Sequence, residues 1–215
     1  MQQLWHAKLE WDTPLPVDMA NSWNRFINEL PRLNSISLPR HIDVRNYKEI
    51  QLIGFSDASG KGYAGSIYLR VVHHTGDISV YFVTCKTKVA PLKNGDANTS
   101  MPRLELCGAL LVAQTLHRVY NCLMSEISIS AIQAWTDSTV VLAWLKTDKK
   151  DFKIFVTNRV AKIHSLLPNC KWEYVNTKDN PADPASRGLL PYMVLCKIHI
   201  DGPAFLRLPV KQWPL

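Results

Sequence analysis

The stretch Ile50-Gln51-Leu52-Ile53-Gly54-Phe55-Ser56-Asp57 decides how the rest of the chain is read. It is almost continuously apolar and then closes on Ser-Asp, the pattern of a buried strand that delivers a carboxylate at its carboxyl end. Gly62–Val72 and Ile78–Cys85 follow as two more strands, separated by His73-His74-Thr75-Gly76-Asp77, a turn by composition. The three form a meander. Further on, Ile127–Trp135 reads as a fourth strand ending in the same way, at Thr136-Asp137, and Trp172–Val175 as a fifth. Between these lie helical segments. Pro102 opens one that runs to about Met124 and is apolar nearly all round, hence largely buried. Ser138–Lys146, Phe152–Leu167 and Ala182–Arg187, the last closed by Gly188, are three more. The order β-β-β-α-β-α-α-β-α predicts an α/β fold with a mixed sheet and helices packed against it.

Outward from that core the texture changes. Residues 1–46 are punctuated by Pro14, Pro16, Pro31 and Pro39, with one amphipathic helix expected from about Val17 to Leu30. A lone helix in such a stretch cannot bury its own apolar stripe and needs something to pack on. The chain divides into 1–46 as a connection, 47–188 as the folded domain and 189–215 as a tail.

Composition narrows the class. The chain has 215 residues, 47% of them hydrophobic and 20% charged, which is ordinary for a globular protein and excludes collagen and coiled coil. Lys and Arg number 25 against 18 Asp and Glu, a net +7 that admits nucleic acid as a partner without establishing it. The longest apolar run, Val140–Leu145, is far short of the ~18 residues of a membrane span. The start, Met1-Gln2-Gln3-Leu4-Trp5-His6, does not read as a signal peptide. Five cysteines, with no C-x-x-C pair, point to reduced thiols in an intracellular protein, cytoplasm and nucleus not being distinguished. Cys196 and His199 are spaced as half of a zinc site, but no second pair accompanies them.

Four carboxylates stand at element ends: Asp57 and Asp137 after strands, Glu105 near the start of the long helix, Asp183 at the start of the last one. Glu105 shares a helical face with Gly108, Ala109, Val112, Leu116 and Val119, and that face must meet the sheet. Carboxylates gathered there repel by roughly 1–4 kcal/mol per pair and persist only if protonated or neutralised by a cation. Oxygen ligands suit Mg²⁺ or Mn²⁺. Each acid also has a plainer role open to it: Asp57 as a turn residue, Asp137 and Asp183 as N-caps, Glu105 as a first-turn charge beside the helix dipole.

At these residues the chain resembles a known family. Gly54-Phe55-Ser56-Asp57-Ala58-Ser59, Met101-Pro102-Arg103-Leu104-Glu105-Leu106, Trp135-Thr136-Asp137-Ser138 and Asp179-Asn180-Pro181-Ala182-Asp183-Pro184-Ala185-Ser186-Arg187-Gly188 are similar to the ribonuclease H region of BEL/Pao-class retrotransposon Pol polyproteins. That region also carries the label Pao retrotransposon peptidase. The resemblance implies a ribonuclease H-like fold: a five-stranded mixed sheet of three antiparallel strands and two parallel additions, flanked by helices. It implies a catalytic and metal-binding set of Asp57, Glu105, Asp137 and Asp183, separated by 48, 32 and 46 residues. The implied activity is two-metal hydrolysis of the RNA strand of RNA–DNA hybrids, with two Mg²⁺ (or Mn²⁺) ions.

Further expectations follow from the resemblance. Ser59, Gly60 and Ser138 are candidates for contacts to 2′-hydroxyls. Lys86 and Lys88 in a Lys-bearing loop over 86–93, Lys146, Lys149, Lys150, Asn158 and Arg159 are candidates for the nucleic acid backbone. Residues 1–46 look like the connection that follows a reverse transcriptase, and 189–215 like the stretch before an integrase, so those portions of Pol are the implied partners alongside the hybrid, with no membrane. The chain departs from related cellular enzymes in having no histidine within 176–182. An aspartic protease needs Asp-Ser/Thr-Gly, whereas Asp137-Ser138 is followed by Thr139, so the peptidase label has no support in the residues. The alternative of a different class is a lapsed remnant that binds nucleic acid or a protein without cutting.

Overall fold

The computed structural model describes residues 4, 7–39, 41–91, 100–147, 152–191 and 197–214. Five strands, β1 (Tyr47–Ala58), β2 (Gly62–His73), β3 (Ile78–Val89), β4 (Ala131–Thr136) and β5 (Lys171–Tyr174), form one sheet in the order β3-β2-β1-β4-β5. The β1–β2 and β2–β3 pairs are antiparallel; β1–β4 and β4–β5 are parallel. This is the mixed sheet that the resemblance implied. Strand β1 lies at its centre and Ile50 to Asp57 are all buried, which explains why that stretch is continuously apolar rather than alternating.

The helices are α1 (Val17–Glu29), α2 (Met101–Leu123), α3 (Thr139–Lys146), α4 (Ile154–Leu166), α5 (Asp183–Arg187) and α6 (Lys197–Asp201). Two strand ends differ most from expectation. Strand β3 does not stop at Cys85 but runs to Val89, because Gly62–Gly65 of β2 supplies partners for Lys86 to Val89. Lys86 and Lys88 therefore sit on an exposed strand end, not in the expected loop. Strand β4 begins at Ala131, where its pairing with Gln51 begins, rather than at Ile127. Ile127 and Ile129 still pack on the core from outside the strand, so their apolar character reflects burial and not pairing.

The core has two halves, one on each face of the sheet. On the first, α2 packs across β1 and β2 and α4 packs against α2. Glycines set the separation. A Cβ at Gly54 would lie 2.6 Å from Val112 Cγ1, and one at Gly65 would lie 2.6 Å from Val112 Cγ2. The two glycines thus form the hole that receives the Val112 side chain. On the second face, Ile53, Phe55, Tyr68 and Trp135 meet Phe205, Leu206 and Trp213 from residues 197–214. Burying a side chain such as Leu206 contributes roughly 1.5–3 kcal/mol. Helix α1, by contrast, buries none of its residues. Cys85, Cys107, Cys122 and Cys170 are free thiols, and Cys196 lies outside the described residues.

Candidate active site

Sheet register brings the first two acids together. Parallel strands β1 and β4 pair Ser56 with Thr136, so the next residues, Asp57 and Asp137, stand on adjoining strands at the carboxyl end of the sheet. Helix α2 reaches the same end by a close approach. A Cβ at Gly108 would lie 3.0 Å from the Asp57 carbonyl oxygen, and Glu105 is one helical turn before it. Asp183 opens α5 after a loop that is pinned to β1: Asn180 Nδ2 donates to the Ser56 carbonyl at 3.0 Å, and Asn180 Oδ1 accepts from the Ala182 amide at 3.1 Å.

None of the four fills the plainer role open to it. Asp57 lies within β1, opposite Ala64, not in a turn. Ser138, not Asp137, caps α3, its hydroxyl accepting from the Val141 amide at 3.2 Å. Glu105 is the fifth residue of a helix whose first turn holds no acid. Ala182 is the N-cap of α5, so Asp183 is not. Of the four, Asp57 is buried and Glu105, Asp137 and Asp183 are half-buried, so each gives up part of its hydration beside other acids.

Each carboxylate instead has a donor from the protein. Ser186 Oγ donates to Asp57 Oδ2. Ser138 Oγ donates to Glu105 Oε2 at 2.6 Å, and Thr177 Oγ1 to Asp137 Oδ2 at 2.8 Å. Arg187 sets Nε at 2.8 Å and Nη2 at 2.7 Å from Asp183 Oδ1. Asp57 is the most buried, 6% exposed. Burial, followed by repulsion from Asp137 and Asp183, pushes its carboxyl up to about 7, against the opposing effects of the Ser186 hydrogen bond and the Arg187 charge. Asp57, Asp137 and Asp183 thus share one electrostatic neighbourhood, and Glu105 is tied to it through Ser138, the neighbour of Asp137.

The donor set is entirely oxygen, the chemistry that Mg²⁺ and Mn²⁺ prefer, and a cation would relieve the repulsion that raises Asp57. As the side chains stand, no three His, Cys, Asp or Glu groups among the described residues converge closely enough to hold one ion. The residues fit such a metal in kind, while their carboxylates are turned to internal donors.

The nucleic-acid candidates are more dispersed. Ser59 is turned inward, its hydroxyl donating to the Ser186 carbonyl at 2.7 Å, and Gly60 is exposed beside it in the β1–β2 turn. The Ser138 hydroxyl is occupied by Glu105 and by its cap. Lys86, Lys88, Lys146 and Asn158 are exposed; Lys93, Lys149 and Lys150 lie outside the described residues. Arg159 is half-buried, its Cζ 3.4 Å from the centroid of the Phe155 ring, and Arg103 is also over that ring at 5.0 Å. His199, the other half of the zinc spacing, turns Nδ1 to the Pro181 carbonyl at 2.9 Å. Four residues of the site were missed in the sequence: Thr177, Asn180, Ser186 and Arg187. A signal existed for the last, since an Asp and an Arg four apart on a helix face one another.

Residues 1–138 match the family model described as Pao retrotransposon-like RNaseH-like domain. The chain belongs to that family. The matched segment includes Asp57, Glu105 and Asp137 and ends before Asp183. No curated protein matches the chain. Among solved structures, it is similar to LC11-RNase H1 in complex with an RNA/DNA hybrid, with 12% identity, TM-score 0.42, and coverage of 68% of this chain and 99% of that one. It is similar to RNase H1 of Halobacterium salinarum NRC-1, with 12% identity, TM-score 0.39 and coverage of 69% and 98%. An N-terminal RNase H domain from Mycobacterium tuberculosis matches at 9% identity, TM-score 0.41 and coverage of 65% and 96%. Among the described residues of this family member, no helix is long and apolar enough to cross a membrane.

Proposed function

We propose that this chain is a divalent-metal-dependent endonuclease that hydrolyses the RNA strand of RNA–DNA hybrids as part of a retrotransposon Pol product. The observation that carries the reading is the β1–β4 register, whose last pair, Ser56 with Thr136, is followed in the chain by Asp57 and Asp137, with Asp137 and Asp183 near enough to add to the cost of ionising Asp57. In this reading Asp57, Glu105, Asp137 and Asp183 hold two Mg²⁺ or Mn²⁺ ions. Bound there, the ions supply activation of a water and stabilisation of the leaving 3′ oxygen. The protein contributes placement. The β1–β4 register aligns two carboxylates, Gly108 brings Glu105 to them, and Asn180 holds the loop before Asp183.

Lys86, Lys88, Asn158 and Arg159 are assigned to the sugar–phosphate backbone, with Arg103 joining Arg159 over Phe155. Gly60, exposed in the β1–β2 turn, is assigned to the 2′-hydroxyls that distinguish RNA, with Ser59 beside it in the chain holding that turn to the Ser186 carbonyl; the Ser138 hydroxyl orients Glu105. Residues 1–46 are read as the connection from a reverse transcriptase and 189–215 as the lead into an integrase. Those portions of Pol are the proposed protein partners.

The test is cleavage of an RNA–DNA hybrid by the purified protein with Mg²⁺ or Mn²⁺. Wild type should release RNA fragments, and Asp137→Asn should lower the rate about 100-fold or more, the size expected when one charge-stabilising group of a site is removed. No cutting by wild type, or cutting that survives in EDTA, defeats the proposal. A second reading, a module that binds without cutting, draws on the four internal donors that engage the carboxylates. Tight, salt-sensitive hybrid binding with no cleavage in either metal favours it.

A further inference from the structure

Helix α5 presents three groups to the acid cluster within five residues. Asp183 is itself one of the acids, Ser186 donates to Asp57, and Arg187 clasps Asp183 one turn on. Arg187 differs from the other three internal donors in being a full positive charge. Both Nε and Nη2 converge on a single oxygen, Asp183 Oδ1, at 2.8 and 2.7 Å. Its side chain is 62% exposed while that of Asp183 is 21% exposed, so the guanidinium covers the solvent side of the cluster and can leave without disturbing the core. Its charge is also felt by Asp57 and Asp137.

We propose that Arg187 is a built-in competitor of the divalent cation: it neutralises the carboxylate cluster from the solvent side, and metal loads only as Arg187 gives up Asp183. The inference rests on the reading of these acids as the metal site. Its physical basis is exclusion. A guanidinium bound to Asp183 Oδ1 occupies one of the two oxygens of that carboxylate, and a divalent ion on the same carboxylate repels a cation held within hydrogen-bonding distance. Ser138, Ser186 and Thr177 are neutral and can remain near a loaded site; Arg187 cannot stay where it is. An arginine freed in this way points its fork at solvent beside the strand ends, where a phosphate of a bound hybrid is the natural new partner. Metal loading and substrate binding then favour one another, because the phosphate removes the competitor.

The test is titration of the full chain with MnCl₂ by isothermal calorimetry, without nucleic acid, for wild type, Arg187→Gln, Arg187→Lys and the surface control Arg118→Gln. Thermal unfolding of each variant checks that it is folded. Arg187→Gln should bind Mn²⁺ about three- to tenfold more tightly than wild type, the scale of a partly exposed ion pair plus the repulsion it causes. Arg187→Lys, which keeps the charge but loses the fork, should fall between them, and Arg118→Gln should match wild type. Equal or weaker binding by a folded Arg187→Gln overturns the proposal, as does an absence of Mn²⁺ binding in both. Hybrid cleavage judges the nuclease reading separately. Cutting by wild type with unchanged Mn²⁺ affinity in Arg187→Gln keeps that reading and sinks this inference; tighter Mn²⁺ binding with no cutting does the reverse.

Discussion

The two flanks of the sheet domain are made of similar material and end up in opposite situations. The N-terminal flank carries Trp11, Trp23, Phe26 and Ile27 among prolines; the C-terminal one carries Phe205, Leu206 and Trp213 among prolines. Yet Trp11 is 97% exposed and Trp23 54%, whereas Leu206 is fully buried and Trp213 only 4% exposed. The difference lies in what each meets. Arg70, itself buried in the sheet, donates from Nε to the Leu206 carbonyl at 2.7 Å and from Nη2 to the Leu208 carbonyl at 2.9 Å, and its guanidinium lies over the Trp213 ring. The Tyr68 hydroxyl donates to the His199 carbonyl at 2.6 Å. These bonds satisfy backbone that would otherwise be buried bare, and so let irregular chain cover an apolar sheet face. Helix α1 satisfies its own backbone but finds no such face; its Trp23 stacks on its own Phe26. Apolar content alone does not decide burial. A prepared surface does.

The contrast can be broken in three ways, in order of expected size. Leu206→Ala removes a side chain from the second half of the core and should cost about 2–5 kcal/mol in urea unfolding. A cost under 1 kcal/mol would mean that the C-terminal segment is as loosely held as α1. Next comes a pH series, which separates both flanks from the acids between them. Asp57 is raised from 3.8 to about 7 in the folded protein, so between those values the native state keeps a proton that the unfolded state has lost. Stability should therefore fall as pH rises from 4 to 7, by on the order of 2–4 kcal/mol. Asp57→Asn should flatten that slope and gain stability at pH 7, while the cost of Leu206→Ala should be the same at pH 5 and pH 8. The smallest effect belongs to Trp23→Ser on α1, about 0.5 kcal/mol or less by the same measurement. A larger loss would show that α1 is packed in solution and would erase the contrast.

Much of the site was legible beforehand because its cues are local. A strand that closes on Ser56-Asp57 or Thr136-Asp137 shows its carboxylate at its end, and the 3.6-residue period places Glu105 and Gly108 on the face of α2 that meets the sheet. The end of β3 was not legible, because Lys86 and Lys88 look like loop until Gly62 and its neighbours offer them partners. The roles of Ser186 and Thr177 were hidden for the same reason. Ser186 meets Asp57 across 129 residues and Thr177 meets Asp137 across 40, and a hydroxyl has no pattern that announces a distant acceptor.

By itself, the sequence determined that Asp57 and Asp137 end strands, that Glu105 faces a sheet, and that the elements order themselves as a mixed α/β domain, since periodicity and chain punctuation act over a few residues. Only tertiary structure decided that 197–214 joins the core while α1 stays bare, that Lys86 and Lys88 extend β3, and that every catalytic candidate has a donor waiting on it. Several of those outcomes depend on surfaces and hydrogen-bonding groups that lie far apart in the chain, as when Arg70 reaches Leu206, 136 positions away. Contacts of that reach are settled by the whole packed sheet and by no single stretch of chain.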